Sequence, residues 1–285
     1  MSAQKITAVV MLVSLMLGAG MEINRQQLMA ALKNGGLIAR ALLANFIIVP
    51  ILGVVLVRLF QLSDYIAVGF LLMAIAPGVP FLVRAAGRQP GGSLGFAAAL
   101  AFIMPALSII TIPLTARLVL PPDAAAHVPA AQLAITLVMF QLVPLLIGLF
   151  VADRAPALAE KLKRPLTLVF FVAVIVLLVI LGPSLVKAVT SVYGSHGIWA
   201  MLVIVLLSVA TGWLLGGPAD EYRRTLSIAT ALRNIGTCAV IATASFPDTL
   251  VGPTVLTYFL VQFIVTVIFR IYFGRSAKTA TESKA

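Results

Sequence analysis

Nine apolar stretches follow one another along the 285-residue chain, and short polar connections separate them. They lie at residues 6–21, 37–59, 65–84, 93–118, 131–150, 166–186, 198–216, 225–245 and 249–273. A helix that crosses the hydrocarbon core of a bilayer needs about 20 consecutive apolar residues, and in lipid its backbone polar groups must be satisfied internally. The stretches therefore predict an all-α integral membrane protein with about nine transmembrane helices.

The composition agrees with a protein that lives in the lipid bilayer. Only 10% of the residues are charged and 61% are hydrophobic, whereas a soluble domain carries about 25% charged residues. The net charge of +11 could indicate a nucleic-acid partner, but the basic residues fall between the apolar stretches, mostly on one side. We therefore expect no nucleic acid. Residues 1–285 are predicted to form one polytopic domain, with a flexible cytoplasmic tail at 274–285.

The chain offers little for enzymatic chemistry. Its one cysteine, Cys238, cannot form an internal disulfide, and its two histidines, His127 and His196, lie in short polar connections. Because these residues assemble neither a metal ligand set nor a nucleophile–base pair, we predict no metal, no cofactor and no enzymatic activity. The acidic residues fall in connections or tails, so no carboxylate is expected at mid-membrane to relay a proton.

Charge asymmetry predicts the orientation of the chain. With the N-terminus outside, fifteen of the 20 Lys and Arg residues lie on the cytoplasmic side and four lie outside, in agreement with the positive-inside rule. We therefore expect a multi-pass protein of the cell (inner) membrane with a cytoplasmic C-terminus. The first stretch also resembles a cleaved signal peptide, but that alternative would send Arg25 and Lys33 outward.

Two of the predicted spans are interrupted near their middle. The span at 65–84 contains Pro77 and Pro80 on either side of Gly78, and the two prolines remove backbone donors and break the local helix. The span at 225–245 contains Arg233 and Asn234 in an otherwise apolar run. A kink without function at the prolines, and an arginine with a purely structural role, are the alternatives.

The positions of the two interrupted spans predict an inverted repeat. They are the third and the eighth, so they cross the membrane in opposite directions, and breaks at corresponding positions in two halves are typical of transporter sites. Spans six to nine would then mirror spans one to four, and the fifth would have no partner.

Four stretches resemble the bile acid:sodium symporter family: MLGAGME at 16–22, LANFIIVP at 43–50, GFLLMAIAPG at 69–78 and RTLSIATALRNIG at 224–236. The similarity follows in order over about residues 6–275. It implies two inverted five-helix repeats, a panel and a core domain, and two broken helices that cross at mid-membrane. From the resemblance we expect the chain to lack the first helix of the ten-helix form, which agrees with a fifth span that has no partner.

The sodium-binding pattern of the family is not present in this sequence. Sodium-coupled members place a serine and an asparagine shortly after the Pro-Gly break, where this chain has Leu82 and Val83. Further hydroxyl ligands in the following helix correspond to Phe96 and Leu100. Because hard cations need several oxygen ligands, sodium coupling is doubtful on these residues.

The eighth span departs from the family pattern in a second way. A glutamate and a glutamine that bind sodium in the family correspond to Ala229 and Arg233, and Asn45 is one polar stand-in on the second span. We therefore hypothesise that the Arg233 guanidinium replaces the ion, braces the two breaks and presents a positive charge to an anionic substrate.

The sequence thus predicts a secondary transporter of a small organic anion that works by alternating access. The residues expected to contact the solute are Pro77, Gly78, Pro80, Thr230, Arg233, Asn234 and Thr237, with Asn45, Gln141 and Gln262 as weaker candidates. The family implies amphipathic organic anions, including sterol-like and small carboxylate solutes. A sodium-coupled symporter with rearranged ion sites, and a non-transporting membrane sensor or partner protein, are the alternatives.

Overall fold

The computed structural model describes residues 2–78, 91–194 and 196–282. Throughout this part the regular secondary structure is helical, apart from one isolated β-bridge. The predicted all-α class is confirmed. Pro80, Leu82 and Val83, which the sequence singles out, lie outside the described residues.

The helices are numbered in chain order over the described part. They are α1 (Ala3–Glu22), α2 (Arg25–Leu32), α3 (Gly35–Leu59), α4 (Asp64–Ile75), α5 (Leu94–Val119), α6 (Pro122–Ala126), α7 (Ala130–Arg154), α8 (Pro156–Ile180), α9 (Gly182–Gly194), α10 (Gly197–Leu215), α11 (Asp220–Ala231), α12 (Ile235–Ser245) and α13 (Val251–Glu282).

Seven helices of the described part are long and apolar enough to cross a bilayer, namely α1, α3, α5, α7, α8, α10 and α13 up to Arg275. Large apolar side chains such as Val179 and Leu214 are 71% and 78% exposed on them, as expected for side chains that face lipid. The two interrupted spans contain the shorter helices α4, α11 and α12. Nine crossings therefore remain a prediction.

Several predicted connections are helical. Helix α8 begins at Pro156 rather than near residue 166, and α13 continues through the predicted tail to Glu282. The charged residues that mark these segments as lying outside the apolar core, such as Lys161, Lys163 and Arg164, are also good helix formers. Apolar run length therefore locates the membrane-spanning part of a helix but not its end.

Two spanning helices contain a five-residue π turn, at Ala44–Ile48 in α3 and at Val138–Leu142 in α7. In each case a proline, Pro50 or Pro144, is the second residue after the turn. Because proline has no N–H to donate to the carbonyl four residues earlier, the α-helical bonding pattern is interrupted at these two points. Each turn carries one buried polar side chain.

The spanning helices pack as two bundles. Helices α1, α7 and α8 form the panel, in which Gly20 of α1 lies against Gly148 of α7 and Gly18 lies against Leu166 of α8. Helices α3, α4 and α10 to α13 form the core. Helix α5 lies between the two bundles. The panel also meets the core directly, where α1 contacts α12.

Candidate functional site

The two interrupted spans meet at one point, which we call the crossing and define as residues 76–78 and 232–234. Pro77 and Arg233 form an isolated antiparallel β-bridge. The Gly78 N–H donates to the Leu232 carbonyl at 3.1 Å, and the Asn234 N–H donates to the Ala76 carbonyl at 3.1 Å. Main-chain groups released by the two helix breaks therefore satisfy each other, as buried backbone groups require.

Local sequence accounts for the geometry of the first break. A residue that precedes proline avoids the helical region, and Ala76, before Pro77, has an extended conformation with φ −100° and ψ 91°. A Cβ on Gly78 would overlap main-chain atoms of Arg233 and Asn234. Glycine is therefore required for the two chains to approach this closely.

A buried glutamine of α13 holds the second break. The Gln262 side chain accepts from the Arg233 N–H at 2.9 Å and donates to the Arg233 carbonyl at 3.1 Å. One amide thus pairs both main-chain groups of a residue that belongs to neither helix. Gln262 acts as a backbone clamp here, which is the packing role expected of a lone glutamine in a membrane helix.

Asn234 begins the second half of the broken span. Its Oδ1 accepts from the Thr237 N–H at 3.1 Å, which caps α12. Its Nδ2 donates to Gln141 Oε1 at 3.3 Å, and the Thr237 hydroxyl donates to the same oxygen. Gln141 lies in the π turn of α7, so the N-terminal end of α12 is bonded to the panel.

Arg233 points in a different direction from Asn234. Its side chain is 3% exposed, and Nη1 donates to the Asn45 carbonyl in the π turn of α3 at 3.5 Å. Asn45 in turn donates through Nδ2 to the Thr230 hydroxyl at 3.3 Å and to the Ala41 carbonyl at 3.0 Å. The guanidinium therefore lies among core helices and connects the break to α3.

Several buried polar groups of the core have no hydrogen-bond partner among the described residues. They are Nε and Nη2 of Arg233, Oδ1 of Asn45, the Ser227 hydroxyl and the Tyr258 hydroxyl. No carboxylate of the described part lies within 4 Å of the guanidinium. A positive charge with two unpaired nitrogens is thus buried in the core, where an uncompensated charge costs about 3–5 kcal/mol.

The described candidates from the sequence lie in one connected network. Pro77, Gly78, Arg233 and Asn234 form the crossing; Asn45 and Thr230 are bonded on its core side, and Thr237 is bonded on its panel side. Pro80 lies outside the described residues. The sequence did not identify Ser108, Ser227 or Tyr258, and Ser108, a serine close after Pro105 in an apolar span, was the most readable of these signals.

Three of the described positions that the resemblance predicts to correspond to the family's sodium ligands are apolar and buried. Phe96, Leu100 and Ala229 are 2%, 0% and 0% exposed. Their side chains carry no oxygen that could bind a hard cation.

Comparison with known proteins places these features in context. The model of the sodium bile acid symporter family matches residues 9–194. The chain is also 26% identical over 288 aligned residues to the hepatic sodium/bile acid cotransporter of Rattus norvegicus, and the alignment covers 95% of this chain and 78% of the rat protein.

Proposed function

The chain belongs to the sodium bile acid symporter family, and from that premise we propose that it carries a small organic anion across the membrane by alternating access without sodium. The resemblance found in the sequence is confirmed, and membership makes the chain a membrane transporter rather than an enzyme.

The observation that carries the proposal is the buried guanidinium of Arg233. Two of its N–H-bearing nitrogens are unpaired, and no carboxylate of the described residues neutralises it. An anion close to Arg233 would recover part of the desolvation cost through charge-assisted hydrogen bonds. This environment favours an anionic solute over a neutral or cationic one.

The same residue supports independence from sodium. A cation at the crossing would repel the guanidinium, and the apolar side chains of Phe96, Leu100 and Ala229 supply no ligands in compensation. Arg233 already connects α3, through the Asn45 carbonyl, to the break that Gln262 clamps. We infer that the guanidinium provides the bracing charge that a bound ion would otherwise supply.

Thermal stability of the purified protein tests this proposal. Melting temperatures are measured in sodium and in choline salts, with taurocholate and with pyruvate as probe anions, for the wild type, Arg233→Gln and the matched control Arg58→Gln. Arg58 is exposed at the end of α3, away from the crossing. A ligand that binds only the folded state, present at 100 times its Kd, stabilises it by about 2.7 kcal/mol.

We expect an anion to raise the melting temperature equally in both salts, in the wild type and in Arg58→Gln but not in Arg233→Gln. Uptake of that anion by proteoliposomes should follow the same pattern. A shift that sodium alone produces would contradict the proposal and favour a sodium-coupled symporter with rearranged ion sites. Anion binding without uptake would favour a non-transporting sensor.

A further inference from the structure

Gln141 bonds the panel to its neighbours at the level of the crossing. It is fully buried, and its carboxamide makes four contacts, all with helices outside the panel. Nε2 donates to the Pro105 carbonyl at 2.8 Å and to the Ser108 hydroxyl at 2.6 Å, both on α5. Oε1 accepts from Asn234 and from the Thr237 hydroxyl on the core side.

In the observed arrangement of the bundles, all donors and acceptors of the Gln141 carboxamide are paired. Separation of the bundles would break some of these hydrogen bonds. A buried amide with all its donors and acceptors paired stabilises one relative position of the elements it joins, because separation leaves several polar groups unpaired together. The π turn of α7 carries the side chain to this position.

We propose that the Gln141 carboxamide is a latch between panel and core, which holds the bundles together in this arrangement and opens during each transport cycle. This inference rests on the proposed function, since alternating access requires one bundle to move against the other. Gln141 is thus a positioning residue, which sets the populations of two arrangements through Asn234 and Thr237.

Gln262 provides the internal contrast. It is also a buried glutamine that pairs at both ends of its amide, but its partner Arg233 lies in the same bundle. Motion of the panel against the core leaves the Gln262 contacts intact. The two glutamines therefore differ in whether a rigid movement of the bundles breaks their bonds.

Distances between spin labels on the two bundles test the latch without a known substrate. The background is Cys238→Ala, which removes the single native thiol. Labels are attached at Leu168→Cys on α8 of the panel and at Leu214→Cys on α10 of the core, since both native side chains are well exposed. A second pair, Leu214→Cys with Ile268→Cys on α13, reports distances within the core.

Gln141→Leu is compared with the wild type and with Gln132→Leu, the same change at an exposed position of α7. Loss of the amide bonds should raise the ratio of separated to docked bundles about tenfold. The distance distribution within the core should not change. Gln132→Leu should match the wild type, and Gln262→Leu should leave the distance between bundles unchanged.

An unchanged distance distribution between the bundles in Gln141→Leu would overturn the inference, and so would the same shift in Gln132→Leu. Should Gln141→Leu fail to fold, Thr237→Val removes one partner of the amide on the core side and should shift the populations in the same direction, by about twofold. The label experiment requires no anion, so its failure is separable from failure of the anion-binding test with Arg233→Gln.

Discussion

Gly78 lies where two main chains meet, and nothing larger than hydrogen fits at its α-carbon. The atoms that a Cβ would overlap belong to the backbone of Arg233 and Asn234, and both residues are fixed by further hydrogen bonds. Rotation of a side chain therefore cannot relieve the collision. The side chains of the consecutive residues Arg233 and Asn234 face different bundles: the Arg233 guanidinium is bonded to α3 of the core, and the Asn234 amide is bonded to α7 of the panel.

Gly78→Ala should consequently destabilise the protein. Overpacking of this kind costs about 1–3 kcal/mol or more, and we expect a lower melting temperature on size-exclusion analysis of heated samples. Gly35→Ala is the matched control, because a Cβ there meets nothing within 4 Å and alanine is the better helix former. Equal melting temperatures for the two variants would show that the two main chains at the crossing leave room for a Cβ on residue 78.

At the scale of secondary-structure elements, the broken span α11–α12 depends on partners that are distant in the chain. The residue between the two helices has its main-chain N–H and carbonyl paired by Gln262 of α13, and α12 begins with a cap that is bonded to α7. The break is therefore held from both bundles, unlike a kink that a single proline would produce.

Gln262→Leu should loosen this element selectively. It leaves the buried Arg233 N–H unpaired, which costs about 1–3 kcal/mol, whereas the Arg233 carbonyl keeps the hydrogen bond that it accepts from the Ile235 N–H. Hydrogen–deuterium exchange at residues 232–235 should accelerate, while exchange in α1 stays unchanged. Gln132→Leu, at an exposed position, serves as the control. Unaltered exchange at residues 232–235 in Gln262→Leu would show that Gln262 does not hold the break.

Sequence reasoning located both breaks because proline, glycine and a lone arginine are conspicuous in apolar runs. It named Gln141 and Gln262 only as weaker candidates for solute contact and did not find their hydrogen-bond partners, which depend on tertiary approach. Asn234 and Thr237 are 93 and 96 residues from Gln141, and Arg233 is 29 residues from Gln262. It also placed the start of α8 too late. Lys161 and Lys163 precede the apolar run, but they already belong to the helix. Nothing in the sequence indicated the hydrogen bond from the Ser93 N–H to the Thr225 hydroxyl, which joins the start of α5 to α11.

At the scale of the whole molecule, the two interrupted spans are related by their contacts as well as by their order. Gly69 and Thr225 each lie eight residues before the bridged residue of their span. Gly69 lies against Thr254 near the start of α13, and the Thr225 hydroxyl accepts from Ser93 at the start of α5. Each span thus contacts the long helix that follows the other span, as an approximate two-fold relation through the crossing would produce.

The charge asymmetry predicts that the C-terminus is cytoplasmic. Green fluorescent protein fused after Ala285 should therefore fluoresce in a bacterial host, and alkaline phosphatase at the same position should be inactive. Fusion after Leu62, in a connection predicted to lie outside, should give the opposite pair of results. Active phosphatase at Ala285 would reverse the orientation.

The burial of Arg233 has an electrical consequence. A guanidinium that is part of the chain cannot be exchanged with the solution, so under the proposed function the core carries about one positive charge when empty and about none when it holds a monovalent anion. The membrane potential then acts on the return of the empty carrier, with up to about 2.3 kcal/mol per 100 mV for a charge that crosses the whole field. In a cell with a negative interior, voltage would favour the inward-facing empty form, and the rate of exchange between two anions would be insensitive to it.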